Sequence, residues 1–158
     1  MRYHHTQYGV WHWLLALVTA GCGVGVWLAR NEPWAVVSLS CVTVASALVT
    51  LSFVYMTVAD EGDRLAIRFG PLPLLSWLIP HIRYDEITAV EADRTSVLDG
   101  WGIHWIPGRG TTINIWGFDC VRLDVGRRTY RIGTDDVANL VAFLQGRVKQ
   151  FRPNARDR

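Results

Sequence analysis

Two long apolar stretches dominate the first third of the chain. Residues 10–29 and 34–59 contain no Asp, Glu, Lys or Arg, and the connection between them, Arg30-Asn31-Glu32-Pro33, is short and polar. About 20 apolar residues in a helix suffice to cross the ~30 Å hydrocarbon core of a bilayer. We therefore expect two antiparallel transmembrane helices, at about 10–29 and 34–56, joined as a hairpin.

Beyond residue 59 the pattern changes to a period of two, which is typical of half-buried strands. Residues 64–69 alternate polar and apolar side chains and end at Gly70. Further strand-like runs are predicted at 87–92, 101–106, 111–116, 120–125 and 129–132, separated by turns that contain glycine. We expect six or seven antiparallel strands that form a sandwich or a small barrel.

The last predicted element is an amphipathic helix. Its apolar positions fall on one helical face, at Val137, Leu140, Val141, Leu144 and Val148. Thr134 fits as the N-cap, and the two aspartates that follow it complement the positive end of the helix dipole. We expect this helix to cap one end of the strands.

Composition sharpens this division of the chain. The 158 residues are 50% hydrophobic and 19% charged, but only Arg2, Arg30 and Glu32 carry charge before residue 60. We divide the chain into a membrane part at 1–59, a β domain at 60–150 and a basic tail at 151–158. The net charge of +2 argues against a nucleic-acid partner, because phosphate binding needs a concentrated basic surface.

The charges beside the hairpin predict its orientation. Arg2 precedes the two helices, and Arg64 and Arg68 follow them. By the positive-inside rule we expect both termini on the cytoplasmic side of a bacterial inner membrane. Residues 18–22 loosely resemble a lipoprotein cleavage site, and an ordinary signal peptide is a second alternative. The apolar run continues beyond Cys22 and a second span follows, which favours the hairpin.

Four segments of the polar part, at 63–70, 82–87, 100–103 and 126–136, carry a family resemblance. Their sequences resemble those of bacterial membrane proteins that have a pleckstrin-homology-like (PH-like) domain after a two-helix hairpin. The resemblance covers residues 55–148 and implies strands followed by one C-terminal helix. It does not imply a ligand, because such folds host many functions. The turn at 60–63 is acidic, whereas PH domains that bind phosphoinositides use basic residues there.

Candidate chemistry is sparse. His81 and Asp85 are four residues apart in a segment predicted to be extended, so they need not converge. The cysteines form no CxxC pair, which favours neither a metal site nor a disulfide framework. His12 could ligate the metal of a haem or chlorophyll, but at a helix start it can also reach water. We expect no enzyme activity, no cofactor and no metal.

Contact surfaces are better candidates than catalytic groups. Gly21 and Gly25 form a small-xxx-small pair, which suits packing within the hairpin or against a helix of another protein. The apolar run at 71–80 supplies either core or an exposed patch for the membrane or a partner. Its bulky members include Leu74, Leu75 and Trp77.

Two further groups complete the predicted interaction surface. The strands carry three tryptophans, Trp101, Trp105 and Trp116, more than a small barrel needs. Arg147, Lys149 and Arg152 lie towards the basic tail, which is either solvated or in contact with anionic lipid or an acidic partner.

These observations favour a non-catalytic accessory or scaffold subunit that docks onto a larger membrane complex. The expected partners are membrane lipids and other integral membrane subunits. A respiratory or photosynthetic assembly is one such complex, suggested by the many tryptophans and by His12. The alternative is a stand-alone sensor at the membrane surface that binds lipid or peptide through the PH-like domain.

Overall fold

The computed structural model describes residues 2–72 and 78–151. Three helices are present: α1 (Trp11–Leu28), α2 (Pro33–Ser52) and α3 (Val137–Phe151). The strands are β1 (His4–Tyr8), β2 (Tyr55–Asp60), β3 (Arg64–Phe69), β4 (Ile82–Arg83), β5 (Ile87–Arg94), β6 (Gly102–Ile106), β7 (Gly110–Asn114), β8 (Asp119–Val125) and β9 (Arg128–Gly133). One short 3-10 turn, Val97–Asp99, precedes β6.

The two N-terminal helices form the predicted pair, and both are long and apolar enough, by length and composition, to cross a membrane. Their contact is partly polar: the Thr19 hydroxyl oxygen lies 2.7 Å from that of Ser46 and 3.2 Å from that of Thr50. α2 ends at Ser52 rather than near residue 56. It ends early because residues 55–60 pair as a strand on both sides, and the strand ladder satisfies their backbone groups.

The N-terminal residues belong to a sheet, which the sequence analysis did not anticipate. β1 pairs antiparallel with β2, so that His4 faces Ala59 and Tyr8 faces Tyr55. The helical hairpin is therefore inserted between two hydrogen-bonded strands. A division of the chain at residue 59 would separate β1 and most of β2 from the sheet to which they belong.

The strands form two sheets, with the orders β1-β2-β3-β4 and β5-β8-β9-β7-β6. The described residues contain nine strands, more than the six or seven predicted. Nearly all pairs are antiparallel, but β7 and β9 run parallel, with Thr111 opposite Tyr130 and Ile113 opposite Ile132. The prediction of a purely antiparallel arrangement is wrong at this pair, because neighbours in the sheet are not always neighbours in the chain.

The core lies between the sheets and under α3. It is built from the inward residues of the strands together with Leu140 and Leu144 of α3, both fully buried. Leu65, Ile67 and Phe69 of β3 show the alternation that the sequence predicts. The helix-plus-sheet layout is confirmed: two long apolar helices, two sheets and an amphipathic C-terminal helix.

Thr134 acts at the start of α3, although not at the predicted position. The helix begins at Val137, and the Leu140 N–H donates to the Asp136 carbonyl. The Thr134 hydroxyl instead accepts a hydrogen bond from the Asp136 N–H at 3.1 Å. It therefore shapes the turn that leads into the helix.

Candidate functional site

A groove of about 820 Å³ opens between the segment that leads into β4 and the strands β6, β7 and β9. Its walls include His81, Trp105, Ile106, Arg127 and Arg128. It combines an exposed indole, an aliphatic wall and two guanidinium groups. Such a surface offers both cationic and apolar contacts to a ligand.

Three short elements position the walls of this groove. Arg127 and Arg128 lie at the turn between β8 and β9, where Val125 pairs with Arg128. Trp105 belongs to β6, and alternation along the strand places His104 on the other face, near Gly100 and Gly102. The Trp105 side chain is 72% exposed. The groove therefore presents an unburied aromatic ring beside two cations.

The two groove arginines differ electrostatically from the others of the β domain. Arg64, Arg68, Arg83, Arg94, Arg109, Arg122, Arg131 and Arg147 each form an ion pair with a carboxylate. Arg127 and Arg128 are exposed and have no carboxylate partner among the described residues. No aspartate or glutamate stands among the described residues that line the groove. The groove is therefore a local site of uncompensated positive charge.

A second cluster, the tryptophan collar, surrounds the start of α1. It consists of Trp11, Trp101 and Trp116, whose ring centroids lie 5.1 Å (Trp11–Trp101), 6.1 Å (Trp11–Trp116) and 5.9 Å (Trp101–Trp116) apart. Phe118 extends it at 6.2 Å from Trp101. The collar joins the hairpin base to the ends of β6 and β7. Trp101 and Trp116 thus pack against the protein itself, whereas Trp105 remains outside this cluster.

His12 is fixed at the base of α1. Its Nδ1 lies 2.7 Å from the Gly9 carbonyl oxygen, and its ring is 4.8 Å from that of Trp13. The carbonyl can only accept, so Nδ1 is the donor of this hydrogen bond. Among the described residues, no group of three or more His, Cys, Asp or Glu side chains could hold a metal ion.

Arg147 occupies a different place from the exposed tail predicted for it. Its guanidinium pairs with Asp60, whose side chain has no exposed surface, and it lies 5.8 Å from the Tyr84 ring and 5.5 Å from the Phe143 ring. It therefore fastens α3 to the β2–β3 turn and is not available to lipid or partner. Lys149, one residue beyond Val148, is exposed.

The Asp60 pair is also a site of shifted ionisation. Burial alone raises the pKa of Asp60, but hydrogen bonds from Arg147, the Gly62 N–H and the Tyr84 hydroxyl outweigh it and lower the pKa. Burial, followed by the hydrogen bond to Asp60, raises the pKa of Tyr84. At neutral pH the carboxylate is charged and the phenol is neutral, so the Tyr84 hydroxyl donates to Asp60 at 2.9 Å beside the Arg147 ion pair.

The remaining predicted contact residues divide into two groups. Gly25 lies against Leu39 of α2, whereas the position of a Cβ on Gly21 is open space. The proposed small-xxx-small pair thus has one member at the hairpin contact and one facing outward. The others, Leu74, Leu75, Trp77 and Arg152, lie outside the described residues. At the ends of the predicted apolar patch, Leu72 and Leu78 are exposed and Ile79 is buried.

Comparison of the chain with protein family models and with curated protein sequences finds no match. Sequence reasoning missed Arg127 and Arg128 as functional candidates, because an Arg-Arg pair after a glycine looks like an ordinary polar turn. Their distinguishing property is the lack of a carboxylate partner within residues 2–72 and 78–151, which the order of residues does not reveal.

Proposed function

We propose that this protein is a non-catalytic, membrane-anchored docking subunit of a larger membrane complex. The observation that carries the proposal is the insertion of the hairpin between β1 and β2, two strands that are hydrogen bonded to each other. Because both ends of the hairpin continue into one sheet, a contact made by α1 or α2 in the bilayer also positions the β domain and its groove.

The proposed location is the inner membrane of a bacterium, with two spans and both termini in the cytoplasm. Arg2, Arg64 and Arg68 flank the hairpin on the side of the sheet and support this orientation. The β1–β2 pairing supports the same-side placement of the N-terminus and the β domain, since paired strands cannot lie on opposite sides of a bilayer.

Membrane lipids and other integral subunits are the proposed neighbours of the hairpin. In α1, which is wholly within the described residues, no side chain is buried, and Gly21 leaves an open position on the helix surface. An open glycine on a lipid-facing surface favours close approach of another helix. Respiratory and photosynthetic complexes are the proposed class of assembly.

We also propose that the β domain is PH-like. The order of strands followed by one C-terminal helix that packs on the core supports this assignment. The parallel β7–β9 pair departs from a simple meander. Phosphoinositide binding in the usual position is not part of the proposal, because Asp60, Glu61 and Asp63 make the first turn acidic.

The test is purification of the tagged full-length chain from its own membranes in a mild detergent. We expect one or more integral membrane proteins in fixed stoichiometry with it. A Gly21→Leu variant, which fills the open position on α1, is expected to lose these partners while its tryptophan fluorescence stays that of the parent chain. A chain that purifies only as a monomer or homodimer would contradict the proposal.

A second function, a stand-alone sensor that binds anionic lipid or peptide, is favoured by Arg127 and Arg128, which have no carboxylate partner in the part of the chain that the structure describes. The two functions differ in their need for a constant partner. If the chain purifies alone, and nanodiscs that hold it in neutral lipid capture anionic vesicles through these arginines, the sensor is the better description.

A further inference from the structure

A short turn beside the tryptophan collar exposes apolar side chains and buries a charged one. Resting on the membrane location proposed above, we propose that this turn, Val97–Asp99, is a second membrane contact. Val97 and Leu98 would insert among the lipids of the leaflet that the hairpin enters first. The inference depends on three observations: the exposure of the two side chains, the polar contacts that fix the turn, and the place of the turn at the hairpin base.

The first observation is an inverted pattern of burial. Val97 is 66% exposed and Leu98 is 94% exposed, whereas Asp99, the next residue, is only 2% exposed. A chain that folds in water ordinarily places apolar side chains inward and carboxylates outward, and a buried carboxylate is rare unless it is paired. The combination of two neighbouring apolar side chains outside and an acid inside therefore calls for a contact outside the chain.

The second observation is that polar contacts fix the turn in this orientation. The Asp99 carboxylate accepts hydrogen bonds from the Ser96 N–H at 2.5 Å and from the Ser96 hydroxyl at 3.0 Å. It also forms an ion pair at 3.0 Å with Arg109, which lies in the turn between β6 and β7. If Asp99 turned outward so that Leu98 could turn inward, all three contacts would be lost. The exposure of Leu98 is thus built into the turn.

The third observation is the place of the turn, because both ends of its connection are fastened at the hairpin base. On one side, the Thr95 N–H donates to the carbonyl of Phe118, which extends the tryptophan collar, at 2.7 Å. On the other side, the Trp101 ring lies 5.1 Å from that of Trp11, the first residue of α1. Leu98 is three residues from each of these anchors, so it cannot lie far from the collar.

Helix length places the collar relative to the bilayer. With 18 and 20 residues, α1 and α2 are about 27 and 30 Å long at ~1.5 Å per residue. Because the hydrocarbon core is ~30 Å thick, a spanning hairpin uses its whole length to cross it. Trp11 and Ser52, at the sheet ends of the two helices, then lie at the hydrocarbon boundary. The collar lies at headgroup level, where tryptophan is enriched, and the turn beside it can reach the lipids.

Lipid suits this turn better than a protein partner, because the exposed surface is small. A stable complex buries about 800 Å² on each partner, far more than two side chains can supply. The turn also lies on the His104 face of β6, since a Cβ on Gly100 would be 3.4 Å from the His104 ring. Leu78, the first described residue after 73–77, lines the groove with Trp105, on the opposite face of β6.

The test attaches nitrobenzoxadiazole, a fluorophore sensitive to its surroundings, to single cysteines of an otherwise cysteine-free, full-length chain in phosphatidylcholine nanodiscs. We expect the labels on Val97→Cys and Leu98→Cys to emit at a shorter wavelength than in water. Lipids with a spin label near the headgroup end of the acyl chain should quench both labels, and iodide in the water should not.

The matched control is Arg127→Cys, which is also exposed but lies at the other end of β8. β8 starts beside Phe118, and its seven residues extend ~20 Å away from the collar at ~3.4 Å per residue. We expect iodide to quench the label on Arg127→Cys and the spin-labelled lipid to leave it unchanged.

A fourth label, on Val18→Cys in α1, reports on the hairpin itself, because Val18 is an exposed position of that helix. If lipid quenches this label while iodide quenches those on Val97→Cys and Leu98→Cys, the turn inference fails and the membrane location stands. If lipid does not quench the label on Val18→Cys, the membrane location fails and the turn inference fails with it. A shorter emission wavelength at Leu98→Cys without lipid quenching would indicate a protein contact and overturn lipid insertion.

Discussion

The N-terminal hairpin and the C-terminal helix are built from elements of similar length but are stabilised in opposite ways. α3 has 15 residues and buries Leu140 and Leu144, with polar side chains on its outer face. α1 and α2 have 18 and 20 residues, and across these fully described helices only Ser52 is buried. The core of the β domain hides its apolar residues from water, whereas the hairpin displays them. Because α1 and α2 are long and apolar enough to cross a membrane, the difference fits the membrane location that we propose for the hairpin.

The forces that hold the β domain together also differ from those that hold the hairpin together. In the β domain, burial of apolar side chains supplies the driving force. Between helices in lipid that force is absent, so close packing and hydrogen bonds hold them together. The hydroxyl groups of Thr19, Ser46 and Thr50 provide such bonds between α1 and α2. We expect the place where these two parts meet, at the end of α2, to be the most sensitive to substitution.

The largest expected effect is at that junction. Gly70 has φ +57, and a Cβ there would collide with the Leu51 carbonyl and approach the Ser52 Cα to 2.9 Å. Gly70→Ala should lower the free energy of unfolding by about 3 kcal/mol or more, because the obstacle is backbone that cannot rotate away. The measurement is urea unfolding in detergent, followed by tryptophan fluorescence.

The matched control for this substitution is Gly62→Ala. Gly62 also has a positive φ, +94, but the space around it is open. Only backbone strain then acts, and a loss of about 1 kcal/mol is expected. Equal losses at the two glycines would show that the hairpin and the sheet are not in close contact at Gly70.

The next effect concerns the buried ion pair between α3 and the β2–β3 turn. Arg147→Met leaves the fully buried Asp60 carboxylate without its cation and should destabilise the β domain by about 3 kcal/mol. Lys149→Met on the same helix, at an exposed position, should stay within about 0.5 kcal/mol of the parent chain. Similar unfolding curves for the two variants would contradict a structural role for Arg147.

Low pH should remove the stability that the Asp60–Arg147 ion pair contributes. The pKa of Asp60 is lower in the folded chain than its ordinary value of about 3.9, so its contribution to stability is fully present above that value. It is lost as the pH falls through the lowered pKa. The urea concentration at the midpoint of unfolding should therefore decrease when the pH is lowered below about 4 in the parent chain. The decrease should be smaller in Asp60→Asn. An identical acid profile for both chains would refute this linkage.

The smallest expected effect is within the hairpin. Thr19→Val removes a hydroxyl that bridges α1 and α2, and a double-mutant cycle with Ser46→Ala should give a coupling of about 0.6 kcal/mol. Thr43→Val is the control, because the Thr43 hydroxyl donates to Leu39 of its own helix at 2.7 Å. Unfolding in mixed detergent micelles provides the free energies. No coupling between Thr19 and Ser46 would leave helix packing and the Thr19–Thr50 contact to hold the hairpin.

Much of this architecture is predictable from periodicity. The two apolar runs, the alternation of β3 and the apolar face of α3 each depend on neighbours in the chain, and each is confirmed. β1 was missed because a five-residue polar strand has no signal of its own: it forms only because β2 lies beside it after the chain returns from the hairpin. The parallel β7–β9 pair is non-local in the same way.

The candidate site is less predictable than the fold. Residue type predicts all three tryptophans of the strands as contact residues. The structure places Trp105 in the groove, but Trp101 and Trp116 pack in the tryptophan collar. The sequence predicts an exposed Arg147, because charge on a terminal helix is usually solvated. Its burial depends on Asp60, which is 87 residues away in the chain. Residue type indicates which side chains can bind, and only the fold determines which of them are free.

If a membrane hairpin emerges from one sheet, as we propose, both chain ends lie on the same side of the bilayer. The most direct measurement is labelling of single cysteines, in a cysteine-free background, by a membrane-impermeant maleimide in sealed vesicles of both orientations. Arg2→Cys and Lys149→Cys should react from one side, and Asn31→Cys, in the α1–α2 connection, from the other. Reaction of all three from the same side, or of the first two from opposite sides, would contradict the account.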